Sequence, residues 1–238
     1  NAGQALTEGA QSILIGYAAG YTLNLGAQNI AIGSAALYSE DGHGKNVAIG
    51  YEALYSQNAG TDGYNVAIGH QAGKATTTGT VNTLTGAFAG DALTSGNSNV
   101  ALGYTALSSE TAGHRNVAIG NAALKLQNNT SSTNANNVAV GYEAGTDVTT
   151  GANNTLIGTY AGASFTTGTS NTAVGYQALS TEDAGGASVA MGYQALATQD
   201  GGDTFNTAVG YRAGYLIQTG PYNTLIGGLA GDALTTGS

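Results

Sequence analysis

The chain has 238 residues, with 39 glycines, one proline, no cysteine, 8% charged residues and a formal net charge of −9. No cysteine and only five Lys and Arg exclude a disulfide scaffold, thiolate metal sites and nucleic-acid binding driven by phosphate neutralisation. An apolar fraction of 42% alongside so little charge fits a regular stacked sheet and argues against disorder.

Residues 1–11 read as a degenerate partial repeat, without the basic and apolar parts of a signal peptide. No apolar run reaches the roughly 18–20 residues of a membrane helix, so membrane insertion is not expected. From residue 12 to 238 one phrase recurs thirteen times, as in Asn46 to Leu54 (NVAIGYEAL) and Asn171 to Leu179 (NTAVGYQAL). Every copy carries one fixed glycine (Gly16, Gly33, Gly50, then onward to Gly210 and Gly227), at spacings of 17 to 21 residues. An alanine follows three residues later in all thirteen copies, from Ala19 to Ala230. Two fixed small residues mark two places of close backbone approach.

Four residues before the glycine stands an asparagine in eleven copies: Asn29, Asn46, Asn65, Asn82, Asn99, Asn116, Asn137, Asn154, Asn171, Asn206 and Asn223. Ser12 and Ser188 take the other two places. Stacked repeats would put these amides above one another as a structural ladder, each bonding the next coil's backbone. Between asparagine and glycine lies a short β-branched run such as Val47, Ala48 and Ile49, which is strand chemistry. The rest of each repeat is rich in Thr, Ser, Asn and Gly, which marks turns. A unit of about 17 residues with a strand of about five residues, a second short strand through the alanine and two turns is one coil of a parallel β-solenoid. The expected fold is therefore all-β, a single repeat array over residues 1–238. Thirteen coils would span roughly 60 Å and expose strand edges at both ends, so flanking fibre is expected.

A longer period overlies the first. Leucine replaces alanine two residues before the glycine at Leu14, Leu84, Leu156 and Leu225, in copies one, five, nine and thirteen. The residue after the fixed alanine follows in pairs: Leu37 and Leu54, Gly73 and Gly90, Leu107 and Leu124, and so on to Gly214 and Gly231. Either a block of four repeats has been duplicated, or large and small side chains alternate so as to interlock across an interface. Such small coils enclose little core, which predicts self-association into a homo-oligomer or a filament.

The strand phrase, then Gly, a polar residue, Ala and a Ser, Thr and Gly-rich turn, resembles the head repeats of the YadA-like trimeric autotransporter adhesins. It is similar as well to repeat shafts of bacteriophage tail fibres. The resemblance covers residues 12–238 and implies trimeric parallel β-rolls held outside the cell or on a virion to touch another surface. The repeat is longer than the family's roughly 14 residues, and the four-copy cassette is a further departure.

Tyrosine follows the fixed glycine at Tyr17, Tyr51, Tyr104, Tyr142, Tyr176, Tyr193 and Tyr211. These rings are candidate contacts for a cell-surface glycan or for a chain-to-chain interface. The longest turns recur once per cassette, over residues 55–64, 125–136 and 197–205, where binding loops are commonly grafted. The turn before each third copy carries charge: Glu40, Asp41, His43 and Lys45, then Glu110, His114 and Arg115, then Glu182 and Asp183. With His43 and His114 read in one register, this row suggests a weak acidic or metal-binding strip, although the third cassette lacks a histidine, so no metal or other cofactor is assigned.

Glu52 and Glu143 share a repeat position five copies apart, which makes no acid/base pair for glycoside cleavage, and no catalytic motif appears. The sequence thus predicts a non-enzymatic structural or adhesive fibre segment, extracellular, on a cell surface or on a virion. The alternative is a subunit of a self-polymerising filament; a polysaccharide-degrading tailspike and an ice-binding solenoid rank below both.

Overall fold

The structure, a computed structural model, describes residues 1–7, 11–182, 184–202 and 204–237. Among them are thirteen strands of three residues each and no helix. The chain divides into two compact units, Asn1–Asn116 with Asn128–Thr133, and Val117–Gln127 with Asn134–Ser238. The first holds β1 (Ile13–Ile15), β2 (Ile30–Ile32), β3 (Val47–Ile49), β4 (Val66–Ile68), β5 (Thr83–Thr85) and β6 (Val100–Leu102). The second holds β7 (Val117–Ile119), β8 (Val138–Val140), β9 (Thr155–Ile157), β10 (Thr172–Val174), β11 (Val189–Met191), β12 (Thr207–Val209) and β13 (Thr224–Ile226). Within each unit successive strands pair in parallel and in register, so that Ala31 faces Ala48 and Ala48 faces Ala67, as Ala190 faces Ala208. One repeat is one coil, and each unit is a parallel β-solenoid.

The strands are shorter than the sequence suggests because the fixed glycine ends them. All thirteen glycines hold φ between +127° and +144°, a region that L side chains rarely adopt. A Cβ on Gly50 would also lie 2.2 Å from the carbonyl oxygen of Gly69 on the next coil. The expected second strand through the alanine does not form. Glu52 and Leu54, which flank Ala53, have φ of 52° and 48°, so the chain there alternates through the left-handed region and cannot extend. Its N–H groups still bond from coil to coil, Leu54 N–H donating to Ala72 O at 3.0 Å and Glu52 N–H to Ser34 O at 3.0 Å.

The interior explains the cassette. The fixed alanines from Ala19 to Ala213 are fully buried against the middle residue of each strand. Where that residue is Leu84, it fills the space above two glycines: a Cβ on Gly73 would stand 2.7 Å from Leu84 Cδ1, and one on Gly90 2.9 Å from Cδ2. Leu156 sits the same way over Gly145 and Gly162. One leucine therefore needs glycine in its own coil and in the coil before, which is why the classes change in pairs. The interlock lies inside the chain's own core, not across an interface.

A third inward column stands seven residues after the fixed glycine. Leu23, Leu93 and Phe165 fill it in the coils whose strand carries leucine, and all three are fully buried. In the two coils that follow, the same place is taken by Glu40 and Gln57, by Glu110 and Gln127, and by Glu182 and Gln199. These six polar side chains are buried as completely as the apolar ones.

Candidate functional site

The outer face of the strands carries exposed apolar side chains. The middle residue of each strand turns inward, which leaves the first and third facing out. In the first unit the third-residue column reads Ile15, Ile32, Ile49, Ile68, Thr85 and Leu102. In the second it reads Ile119, Val140, Ile157, Val174, Met191, Val209 and Ile226. No charged residue stands in this column or in the first-residue column beside it. Packing along the column leaves Ile68, Leu102, Ile157 and Met191 between 39% and 46% exposed.

The seven tyrosines border this face, two residues beyond the third strand position, and all are at least 40% exposed. Six of the seven, all but Tyr17, lie against another aromatic ring. Tyr51 stacks on His70 at 5.2 Å, and His70 and Phe88 carry the row on to Tyr104. In the second unit the row runs Tyr142, Tyr160, Tyr176, Tyr193 and Tyr211, the last three parallel within 12° at 5.2 and 5.3 Å. In the three stacked contacts each ring covers its neighbour's face, which a sugar would otherwise need, while the other four contacts of the row are edge to face at 62° to 86°. His70, Phe88 and Tyr160 were not singled out in the sequence; His70 follows Gly69 directly, so its position alone was the available signal.

The asparagines form the expected geometry. Ten are buried and Asn223 partly so. Asn65 Nδ2 donates to Gly79 O at 2.8 Å, and its Oδ1 accepts the N–H of Asn82 at 2.9 Å; Asn82 repeats the pattern with Gly96 O and Asn99 N–H. Asn137, Asn154 and Asn171 do the same in the second unit. At these positions both amide atoms are committed to backbone of the same chain, which leaves no group turned to an outside ligand.

The charged turns differ from expectation. His43 lies seven residues before Gly50 but His114 six before Gly120, so the two do not share a register. His114 Nδ1 accepts the N–H of Asn97 at 2.8 Å, while His43 Nδ1 lies 3.9 Å from Glu40 Oε1. Glu40, Glu110 and Glu182 are not a surface strip, since they point into the core. Glu110 Oε1 accepts the N–H groups of Ala112, Gly113 and Asn129, and Oε2 accepts Asn129 Nδ2. Glu182 accepts Gly185 N–H and Gln199 Nε2, both at 2.8 Å. Burial pushes the carboxyls of Glu40 and Glu182 above the usual range. The signal that could have found them is their place in a column that also holds Leu23, Leu93, Val148, Phe165 and Ile217. Asp183 lies outside the described residues. Glu40, Asp41 and His43 bring ligand atoms within 4.8 Å of one another. The matching turn has Thr111 and Gly113 in place of Asp41 and His43, so the grouping is not repeated.

The long turns are tied to their neighbours. Lys45 Nζ reaches Asp62 Oδ2 at 2.6 Å and Tyr64 Oη at 3.0 Å, and Asn129 is held by Glu110. Glu52 is paired with Lys74 at 2.7 Å and accepts from Gln71 at 2.8 Å, which lowers its carboxyl to about 2. A carboxyl so firmly ionised has no proton to give to a glycosidic oxygen. Threonine hydroxyls of these turns are likewise spent, as Thr77 and Thr149 donate to Thr94 O and Thr166 O on the next coil.

The in-register coils, the repeated interior and the bare strand face define a β-solenoid repeat protein. Comparison with protein-family models, with curated proteins and with solved structures finds no match to this chain.

Proposed function

We propose that this chain is a non-enzymatic structural and adhesive fibre segment, extracellular or virion-borne, that assembles with further copies of itself through the outer face of its strands and presents its turns to a host or cell surface. The uncharged aliphatic column carries the reading. An uncharged strand face that is largely aliphatic and interrupted only by threonine recurs on both units, and exposed apolar surface of this kind favours association. A second copy is the occupant that fits. The chain bears a net charge of −9, yet no charged residue stands in the first or third strand position, so no like charges within these columns oppose one another when copies meet there. The exposed aromatic border extends the same surface. The resemblance to adhesin and tail-fibre repeats supports the fibre role, and the turns on the remaining sides are the surface left for a target.

The native mass of the full chain by light scattering, with negative-stain images of the same sample, tests the assembly. A discrete rod-shaped homo-oligomer is expected. Ile49→Asp with Ile68→Asp should shift it to the monomer while the circular dichroism stays that of a β protein. A wild-type chain that is folded and monomeric at micromolar concentration overturns the proposal. The adhesive role is read separately, from binding of the oligomer to immobilised cell-surface glycans.

A further inference from the structure

A second aromatic column stands five residues after the fixed glycine. Tyr21 and Tyr38 stack with ring centroids 4.9 Å apart and planes within 3°, and Tyr38 and Tyr55 at 4.9 Å within 13°. Each pair is 17 residues apart, Tyr21 to Tyr38 and Tyr38 to Tyr55, which is one coil. All three rings are half-buried, held by the coils yet open to solvent at the edge. The backbone beneath them is tied as well, Thr22 N–H donating to Tyr38 O and Ser39 N–H to Tyr55 O, both at 3.1 Å.

We infer that Tyr21, Tyr38 and Tyr55 form a modification site, at which an external one-electron oxidant of the peroxidase class joins neighbouring coils through dityrosine. Each phenol loses one electron and one proton to become a phenoxyl radical. Two adjacent radicals couple through the ring carbons next to the phenol oxygen, and the hydrogens on those carbons shift to oxygen to restore the aromatic rings. The pair has then lost two hydrogens, which with hydrogen peroxide as oxidant leave in two molecules of water. Parallel stacking puts like carbons of adjacent rings opposite each other, so coupling competes well with diffusion of other radicals. The chain has no cysteine, no tryptophan and a single methionine, so the competitors for the radical are its eleven other tyrosines. Each link closes a one-coil loop and bars two coils from separating. The inference does not depend on the assembly proposed above, and by the same geometry it extends to Tyr176, Tyr193 and Tyr211, which stack at 5.2 and 5.3 Å within 12°.

The test treats the full chain with a haem peroxidase and hydrogen peroxide, digests it and maps peptide pairs that have lost two hydrogen masses. Links between Tyr21 and Tyr38 or between Tyr38 and Tyr55 should exceed by about tenfold those between Tyr142 and Tyr160, whose planes cross at 86°. Tyr38→Phe keeps the ring and should abolish both links; Tyr55→Phe should leave the link from Tyr21 to Tyr38. The inference is overturned if the exposed Tyr64 and Tyr222 are oxidised while no link forms in the column. It is equally overturned if links scatter over perpendicular pairs, or if Tyr21 and Tyr55 still enter cross-links at the wild-type yield in Tyr38→Phe with circular dichroism unchanged.

Discussion

The coil of β5 and the coils of β10 and β11 share a backbone plan but not an interior. Around β5 the core is dry: Leu84 lies over Gly73 and Gly90, and Leu93 fills the column seven residues after the glycine. Around β10 and β11 that column holds Glu182 and Gln199. Gln199 links Glu182 at 2.8 Å to Ser188 at 3.1 Å and, through its own oxygen, to Asn206 at 2.8 Å. Strand register and fixed-glycine geometry are the same in both. The coil is thus defined by the glycine, the alanine and the asparagine ladder, and either filling satisfies it. What the filling decides is where water, charge and pH can act.

The comparison breaks most severely at a residue that both interiors share. Gly86→Ala would put a Cβ 2.4 Å from the carbonyl oxygen of Gly103 at φ +131°, so neither backbone nor side chain can yield. A loss above about 4 kcal/mol, seen as a collapse of the urea midpoint, is expected. Leu84→Ala should cost less, about 2–5 kcal/mol, through the cavity it leaves. A glycine of the second class behaves differently again, because its neighbour is only a leucine tip. Gly90→Ala alone should cost about 1–3 kcal/mol from overpacking and left-handed strain. In the Leu84→Ala background it should cost less by about 0.5–3 kcal/mol. Additive losses in that double-mutant cycle would show that leucine and glycine do not share one space.

How far the sequence carried this reading follows from the same contrast. Periodicity exposed the glycine, the alanine, the asparagines and the paired classes, because stacking repeats each requirement once per coil. It did not expose the backbone after the glycine. Left-handed conformations usually declare themselves through Gly or Asn, but Leu54 and Glu52 adopt them here because coil-to-coil hydrogen bonds outweigh the local strain. Glu40 and Glu182 were read as turn charges for a related reason: residue type argues for exposure, and only alignment down the column argues for burial. The outward apolar face was legible only as short β-branched runs, since a three-residue strand does not say which side is covered.

The wet interior should respond to pH and the dry one should not. Burial raises the carboxyls of Glu40 and Glu182, so the folded chain holds their protons more tightly than the unfolded chain, where the value is about 4.3. Their contribution is complete below that unfolded value and is lost as pH rises through the raised folded value. Glu182→Gln should flatten this fall in a series of urea midpoints from acid to neutral pH. The size is about 1.4 kcal/mol for each unit of displacement. An unchanged slope would mean that the carboxyl is fully compensated by Gly185 and Gln199.

The smallest effect has the opposite sign and lies on the surface. Lys74 keeps Glu52 ionised down to about 2, so this pair contributes above the unfolded carboxyl value and is lost as pH falls towards 2. With the Lys74 side chain 41% exposed, the pair is worth only about 0.2–1 kcal/mol. Lys74→Met should lower the urea midpoint by that amount at low salt and by almost nothing in molar salt, where exposed charges are screened. A salt-independent loss would instead assign Lys74 a packing role, its methylenes covering the coil edge beside Tyr55, and would place the pair with the structural fixtures of the coil.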